Sequence, residues 1–579
     1  MRPAVRRFRS KHASVPTCSR LLVLLLLAGS LTVNSLSAQV TPTLVDNPEI
    51  VSTYANTITA NDLAAHLYFF ASDHFQGRET TQPGQRLAAE YLASQYRLMG
   101  LEPRGTAAPH DAAGPDAYLQ PFTVYGTRFD RSTLTAERNG TPLFSAEFSR
   151  DVNNGSFSYQ MGEGQDVTAP LVFAGYGIHD PDLDFSDFDA LNSAGVQIGG
   201  TWIMILDGEP MTSNGGMLLS ENGTPTAWST GRFTKLRFLL QGETMPAGII
   251  IVGNADAPVP EGAGSLSLSP PDRTPANGAR RVLPPVLRIS EDLADVLLSA
   301  SGHTVASITS TVTETHSPVV FGMSGTRLTG SVENSRYDAP TENVVAFIEG
   351  SDLKNEVVVL TSHYDHIGIS GSGEDRINNG ADDDGSGTVT LLELASAFQQ
   401  AKDDGFGPRR SLLFMNVTGE EKGLLGSAWY SDHEPLFPIE NTVTNLNIDM
   451  IGRVDPTHPG PDANYVYIIG SNLISQELHN INLQANDLMG TGLDLNERFN
   501  SRDDPNQFYR RSDHWNFGKH GVPFIFFFTG THEDYHGVGD EPEKIEYERM
   551  EKIARLIFGT AWQVANQDTR PAVSGTGFN

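Results

Sequence analysis

Cysteine is almost absent from this sequence of 579 residues: Cys18 stands alone, upstream of a short apolar run. A chain cleaved after that run carries no thiol. This excludes a disulfide framework and thiol chemistry, and leaves core burial to supply the stability. Positive charge is scarce too. Forty lysine and arginine residues face 70 aspartate and glutamate residues, for a net charge of −30. So acidic a chain argues against nucleic acid and anionic membranes as partners. Long hydrophobic runs are also lacking. Leu21–Ala28 (LLVLLLLA) is the strongest, and it falls short of the roughly 20 apolar residues of a spanning helix.

What surrounds that run gives it a meaning. Arg2, Arg6, Arg7, Arg9, Lys11 and Arg20 precede it without one acidic residue, and SLSAQ follows with small residues. Residues 1–38 therefore read as a secretory signal peptide ending near Ala38, with an uncleaved anchor as the alternative. The expectation is an exported protein, periplasmic or extracellular, with no stable membrane insertion after cleavage. Losing the six basic residues takes the net charge from −30 to −36.

At about 150 residues per domain the chain is multidomain. Residues 58–103 predict two helices. ITANDLAAHLYFF starts at Asn61/Asp62, and QRLAAEYLASQYRLM is stopped by Gly100. From about 120 to 320 short β-rich runs such as LVFAGYGI, TWIMIL and GIIIVGN alternate with Gly/Pro-rich stretches, which suits a small separate β-rich domain. Stretches around 210–230 and 255–280 read as exposed loops. From about 325 strands and helices alternate. NVVAFIEG, NEVVVLTSHYDH, SLLFMNV, TVTNLNIDMIG and VPFIFFFTG are strands; 386–401, SQELHNINLQANDLM and YERMEKIARLIFGTAWQVANQ are helices. This predicts an α/β domain with a mixed, largely parallel sheet flanked by helices.

In such sheets ligand groups gather beyond the carboxyl ends of strands. Those positions here hold His363 and Asp365, Glu420 and Glu421, Asp449, and, after a loop, Tyr535 and His536. Any one of them has an ordinary explanation as a cap or a solvated turn. Together they put two histidines and several carboxylates on one sheet edge. Imidazole nitrogen and carboxylate oxygen suit zinc and other divalent ions. A carboxylate can bridge two such ions about 3.5–4 Å apart. A second carboxylate, free of metal, can serve as general base. Asp365, two residues beyond His363 on a strand, can hold the imidazole from behind. The triplet in NNGADDDGSG (378–387) matches a calcium-loop pattern in part, but a strand and a glycine-rich turn precede it where an EF-hand needs a helix.

The ordered set SHYDHIG, NNGADDDGSG, TGEEKGLLGS, NIDMIGR and DYHGVGDEPEKI resembles the M28 family of metallopeptidases, the bacterial leucine-aminopeptidase-like enzymes. SDHFQGRET and LMGLEP are similar to the start of the same domain, and VFAGYGI to the protease-associated insert carried by many members. The resemblance implies a zinc-exopeptidase-like fold: a peptidase domain begun by 40–125, interrupted by a protease-associated β-rich insert at 126–320, and completed by 321–579. It implies two zinc ions per chain. His363 and Asp449 would hold one, Glu421 and His536 the other, and Asp383 would bridge them. Glu420 would be the general base, Asp365 would orient His363, and Tyr535 would bind substrate or oxyanion. Asp382 and Asp384 would cap and hold the turn; His366, Asp513 and His514 have no matching ligand role. Gly537-Val538 departs mildly from the family pattern. The implied activity is hydrolysis of peptide substrates from the amino end. The alternatives are a single-zinc glutaminyl-cyclase-like acyltransferase and a non-catalytic, transferrin-receptor-like ectodomain.

Overall fold

A computed structural model describes residues 41–575 apart from 113, 181–184, 221, 231–233, 242–244, 258, 260–263, 271–282, 370–373 and 461–462. The expected signal peptide, residues 1–38, lies outside the described residues, as does much of the expected loop at 255–280. Among the described residues no helix is long and apolar enough to cross a membrane.

Helices α1 (Pro48–Ala55), α2 (Ala60–Phe70) and α3 (Pro83–Met99) come first. The side chain of Thr59, rather than the Asn61/Asp62 pair, caps α2 by accepting from the Asp62 N–H at 3.2 Å. Gly100 ends α3 at φ 85°, a left-handed position that costs glycine nothing. The principal strands are β1 (Leu119–Arg138), β2 (Gly164–Phe173), β3 (Trp202–Leu206), β4 (Gly248–Val252), β5 (Val286–Ile289), β6 (Phe321–Ile348), β7 (Leu353–His363), β8 (Arg410–Val417), β9 (Thr442–Ile448), β10 (Tyr465–Ile469) and β11 (Phe524–Phe528). Helix α4 (Gly387–Asp403) lies between β7 and β8, α5 (Gln476–Met489) between β10 and β11, and α6 (Tyr547–Asn566) after β11.

One sheet runs in the order β10-β11-β9-β7-β8-β6 and continues through β2-β3-β4-β5. The central pairs β11-β9, β9-β7 and β7-β8 are parallel, and the flanking pairs β10-β11 and β8-β6 antiparallel. Strands β8, β9 and β11 are buried at every position. Burial without alternation belongs to strands covered on both faces. Helices α4 and α6 close one face, where the Phe398 ring lies 4.3 Å from Phe558 and 5.8 Å from Trp562.

The middle of the chain is less separate than its sequence suggests. Strands β2 to β5 pair in parallel, with helices such as Glu291–Leu298 and Val305–Thr315 beside them, and they have their own apolar clusters around Trp202, Phe173 and Ile249. Yet β6 pairs with β1 and β2 along its first part and with β8 over Val344–Ile348. Burial along β6 alternates roughly every second residue before it becomes continuous from Thr341. One long strand is thus half-exposed in the middle region and fully buried in the last. Backbone hydrogen bonding runs unbroken across the boundary read at 125, and β6, which opens at the boundary read at 320, pairs from its first residue with a strand of the middle region.

Candidate metal centre

The parallel arrangement of β7, β8, β9 and β11 brings four strand ends to one edge. His363 is the last residue of β7; Glu420 and Glu421 follow β8; Asp449 follows β9; His536 lies in the loop after β11. Left-handed backbone at Arg78 (φ 48°), Met450 (φ 56°) and His536 (φ 57°) marks the turns around this edge. Such conformations are rare outside glycine and gather at functional sites.

The aspartate triplet divides its work. The Asp384 carboxylate accepts from the N–H groups of His363 (3.2 Å), Gly387 (2.9 Å) and Met450 (3.1 Å), tying β7, α4 and the end of β9 together. Asp382 accepts from the Gly452 N–H at 2.6 Å and the Ser386 hydroxyl at 3.0 Å, and His532 Nε2 lies 3.3 Å from its other oxygen. Asp540 accepts from the N–H groups of both Asp382 and Asp383. With its neighbours so engaged, Asp383 is left to face the cleft.

Its two carboxylate oxygens face different donor groups. Oδ1 is 3.2 Å from His363 Nε2, which is itself 3.6 Å from Asp449 Oδ1. Oδ2 is 3.1 Å from His536 Nε2 and 3.9 Å from His366 Nδ1. Glu421 closes this second group, with Oε2 3.1 Å from His536 Nε2 and Oε1 2.8 Å from His366 Nδ1. His363, Asp383 and Asp449 on one side, and His366, Asp383 and Glu421 on the other, converge closely enough to hold an ion each. Asp383 Oδ2 and Glu421 Oε1 are buried without a hydrogen-bond partner. Buried carboxylate oxygens without a hydrogen bond are costly, and oxygen and nitrogen donors of this kind suit a divalent cation.

Charge at this edge points the same way. Burial lowers the affinity of His363 for a proton, but the negative charges of Glu420 and Asp449 override it and lift the imidazole well above its usual range. Burial opposes protonation of His536 as well, and the Asp383 and Glu421 carboxylates raise it to about 10. A spot that holds protons this firmly also attracts a metal ion. The adjacent glutamates diverge. Loss of hydration, with the charges of Asp449 and Glu421, pushes Glu420 well above the carboxylate range. Burial and the charge of Asp383 work against ionisation of Glu421, but the imidazoles of His366 and His536 hold it down at about 2.

Asp365 and His366 are placed differently from what the sequence suggests. Asp365 holds the His363 ring through its main chain: Nδ1 donates to the Asp365 carbonyl at 3.0 Å, while the carboxylate stands 3.8 Å away. The strand ends at His363, so the alternation that would aim both side chains alike stops there. The Asp365 carboxylate accepts instead from the Thr80 hydroxyl (2.7 Å) and the Glu420 N–H (3.2 Å). His366, read as a residue without a ligand role, is fully buried among the donors. Its signal was present in SHYDHIG, three residues past His363, but the turn that aims it inward is set by distant chain. Asp513 is buried as well, accepts from the Ser427 hydroxyl, and is raised to about 7, chiefly by burial.

That distant chain is the segment around Arg78. Its buried guanidinium donates to the carbonyls of Tyr364 (3.0 Å), Phe70 (3.2 Å), Asn379 (2.7 Å) and Gly380 (2.9 Å), and so fastens the loop after His363 to the one before Asp383.

Beside the donors opens a cleft lined by Glu420, Asp449, Met450, Phe508, Arg511, Phe526, Phe528 and Tyr535. Tyr535 stacks on His536 with ring centroids 3.9 Å apart, and its hydroxyl accepts from Arg511 at 3.2 Å. Arg511 has no counterpart in the sequence reading. Nearby, Leu266 of the middle region packs with Leu425 and Trp429, which follow the paired glutamates in the chain.

The model of peptidase family M28 matches residues 343–561, the segment that contains all the donors. The chain carries a peptidase family M28 domain. Aminopeptidase YwaD of Bacillus subtilis (strain 168) is 25% identical over 239 residues, 40% of this chain and 46% of that protein. The probable glutamate carboxypeptidase LAMP1 of Arabidopsis thaliana is 32% identical over 112 residues, 19% of this chain and 15% of that one. The chain spans about half the length, or less, of these curated relatives. Among solved structures, the aminopeptidase from Aneurinibacillus sp. strain AM-1 is 18% identical with a TM-score of 0.49, covering 91% of this chain and 99% of that one. The M28 domain supplies every donor of the centre, and the segment holding Arg78 lies outside the matched residues.

Proposed function

We propose that the protein is an exported zinc aminopeptidase that holds two zinc ions about Asp383. His363 and Asp449 serve one position, and Glu421 and His536 the other. The observation that carries this reading is the Asp383 carboxylate itself, whose two oxygens face two separate donor groups beside one cleft. The donor set of imidazole and carboxylate fits zinc, and the unpartnered oxygens of Asp383 and Glu421 fit a cation between them.

Zinc ions bound there supply Lewis acidity toward the substrate carbonyl and acidify water at neutral pH. The protein does the rest. Glu420 takes a proton from the attacking water and passes it to the departing amine, a step general bases accelerate by roughly 10²–10⁴. The Asp365 carboxylate fixes the Glu420 main chain. Tyr535 accepts its hydrogen bond from Arg511, which leaves its own hydroxyl proton to donate toward the developing oxyanion. Met450, Phe508, Phe526 and Phe528 take up an apolar side chain and exclude water.

The test pairs metal analysis with a panel of aminoacyl and dipeptide substrates, free and N-acetylated. Glu420→Gln is expected to keep both zinc ions and to lose turnover by at least a hundredfold. Near-normal turnover in that variant removes Glu420 from the role of base. Equal cleavage of N-acetylated peptides rejects the aminopeptidase assignment, and one zinc per chain with cyclisation of N-terminal glutamine replaces the reaction altogether.

A further inference from the structure

We infer that His366 is a metal-binding residue, a fourth donor at the position shared by Asp383, Glu421 and His536. This leaves the two zinc positions unequal: four protein donors at one and three at the other. The inference rests on the dizinc reading for its setting.

His366 is fully buried, yet neither ring nitrogen makes a hydrogen bond. A buried imidazole in that state is unfavourable, since each polar atom that loses water needs a partner. Packing does not account for it, because an apolar side chain would fill the same space without the penalty. Nor does it act as a hydrogen-bonded support for Glu421. Nδ1 stands 2.8 Å from Glu421 Oε1, but the direction is wrong for a hydrogen bond, and that oxygen is unpartnered too. Three unpartnered buried atoms, His366 Nδ1, Glu421 Oε1 and Asp383 Oδ2, therefore look at one point. Hydrogen-bonding groups that face each other in this way are arranged around something between them.

The ring is also held where it is. The His366 N–H donates to the Arg78 carbonyl at 3.2 Å, and a Cβ on Gly380 would come within 2.6 Å of the imidazole edge. Gly380 has φ 56° and packs directly against the ring. The backbone on both sides is thus shaped to admit an inward-facing imidazole. His536 comes from the opposite side with its ring 5.8 Å away, inclined at 66°. A closed set of protein donors holds zinc more firmly than one that leaves a position open.

The experiment titrates metal-free protein with zinc in competition with a chromophoric chelator, for the wild type, His366→Leu and His366→Gln. Both substitutions remove the imidazole, one with an apolar and one with a polar side chain, so that a folded variant is in hand if either fails; circular dichroism and thermal unfolding of the metal-free forms establish which are folded. The expected result is a weakening of zinc affinity of tenfold or more at one position, and metal-free variants that melt no lower than the wild type. Weakening smaller than tenfold at every position of a folded variant overturns the inference. If the wild type binds a single zinc, the dizinc reading fails, while His366 is still tested on that ion by the same tenfold criterion.

Discussion

Arg78→Lys is the substitution that best tests how the centre is built. The guanidinium is completely buried and serves four carbonyl oxygens on three separate stretches of chain, at Phe70, at Tyr364 and at Asn379–Gly380. It also lies 4.5 Å over the Phe70 ring. Burial lowers its pKa only to about 10, with Asp540 and Asp383 supporting the charge, so it stays cationic. Lysine keeps the charge but concentrates its donors on one nitrogen, which cannot reach carbonyls on opposite sides of a planar fork. At least two of the four bonds are then lost. Hydrogen bonds to a charged group are worth about 1.5–3 kcal/mol each, which puts the loss at about 3–6 kcal/mol. Urea unfolding followed by far-ultraviolet circular dichroism reads the stability, and zinc competition reads the site. Both should fall, because Tyr364 adjoins His363 and Gly380 precedes the Asp383 turn. A loss under about 1 kcal/mol with zinc affinity intact would refute the reasoning that this residue assembles the centre.

Two other perturbations test separate parts of the fold. Gly387→Ala places a methyl within 2.4 Å of the Asp384 carboxylate and 2.6 Å of the Ile448 carbonyl. Neither can retreat, so a loss of about 1–3 kcal/mol with weakened zinc binding is expected on thermal unfolding; an unchanged melting temperature counts against it. His514 is buried against Phe524 and Phe526, donates from Nε2 to the Tyr509 carbonyl, and is lowered by burial to about 3. Its folded pKa lies below the unfolded value, so its stabilising contribution is complete above about pH 6.5 and is lost as pH falls below that. By pH 5 the linkage amounts to about 2 kcal/mol. His514→Gln should flatten the fall in urea stability between pH 7 and 5 by about that amount, and an identical slope in both proteins would remove His514 as its source.

Much of the last 240 residues is legible from pattern alone. NEVVVLTSH, SLLFMNV and FIFFF each centre on an unbroken apolar stretch, and runs of that kind flanked by amphipathic segments have few solutions other than a covered parallel sheet. Once the sheet is parallel, the residues after its strands must lie on one edge. That is why His363, Glu420, Glu421, Asp449 and His536 group on one edge from the sequence alone. The YVYII strand at β10 is not read from the sequence; it lies antiparallel at the side of the sheet. Of the 28-residue β6 only the end, NVVAFIEG, reads as a strand: its first part is half-exposed and rich in polar residues, and only its partners on both sides make it one strand.

Composition and the order of motifs, then, determined the class of fold, the edge on which the chemistry gathers and the choice of nitrogen and oxygen donors. Those are consequences of hydrophobic periodicity and of chain direction, which are local and written residue by residue. The tertiary structure decided which atoms meet. It turned Asp383 toward the cleft and its neighbours away, gave the His363 ring to a carbonyl rather than to the Asp365 carboxylate, and aimed His366 at Glu421. Each of those outcomes depends on contacts across long stretches of sequence, such as Arg78 with Gly380, and no periodicity encodes the angle at which two distant loops face each other.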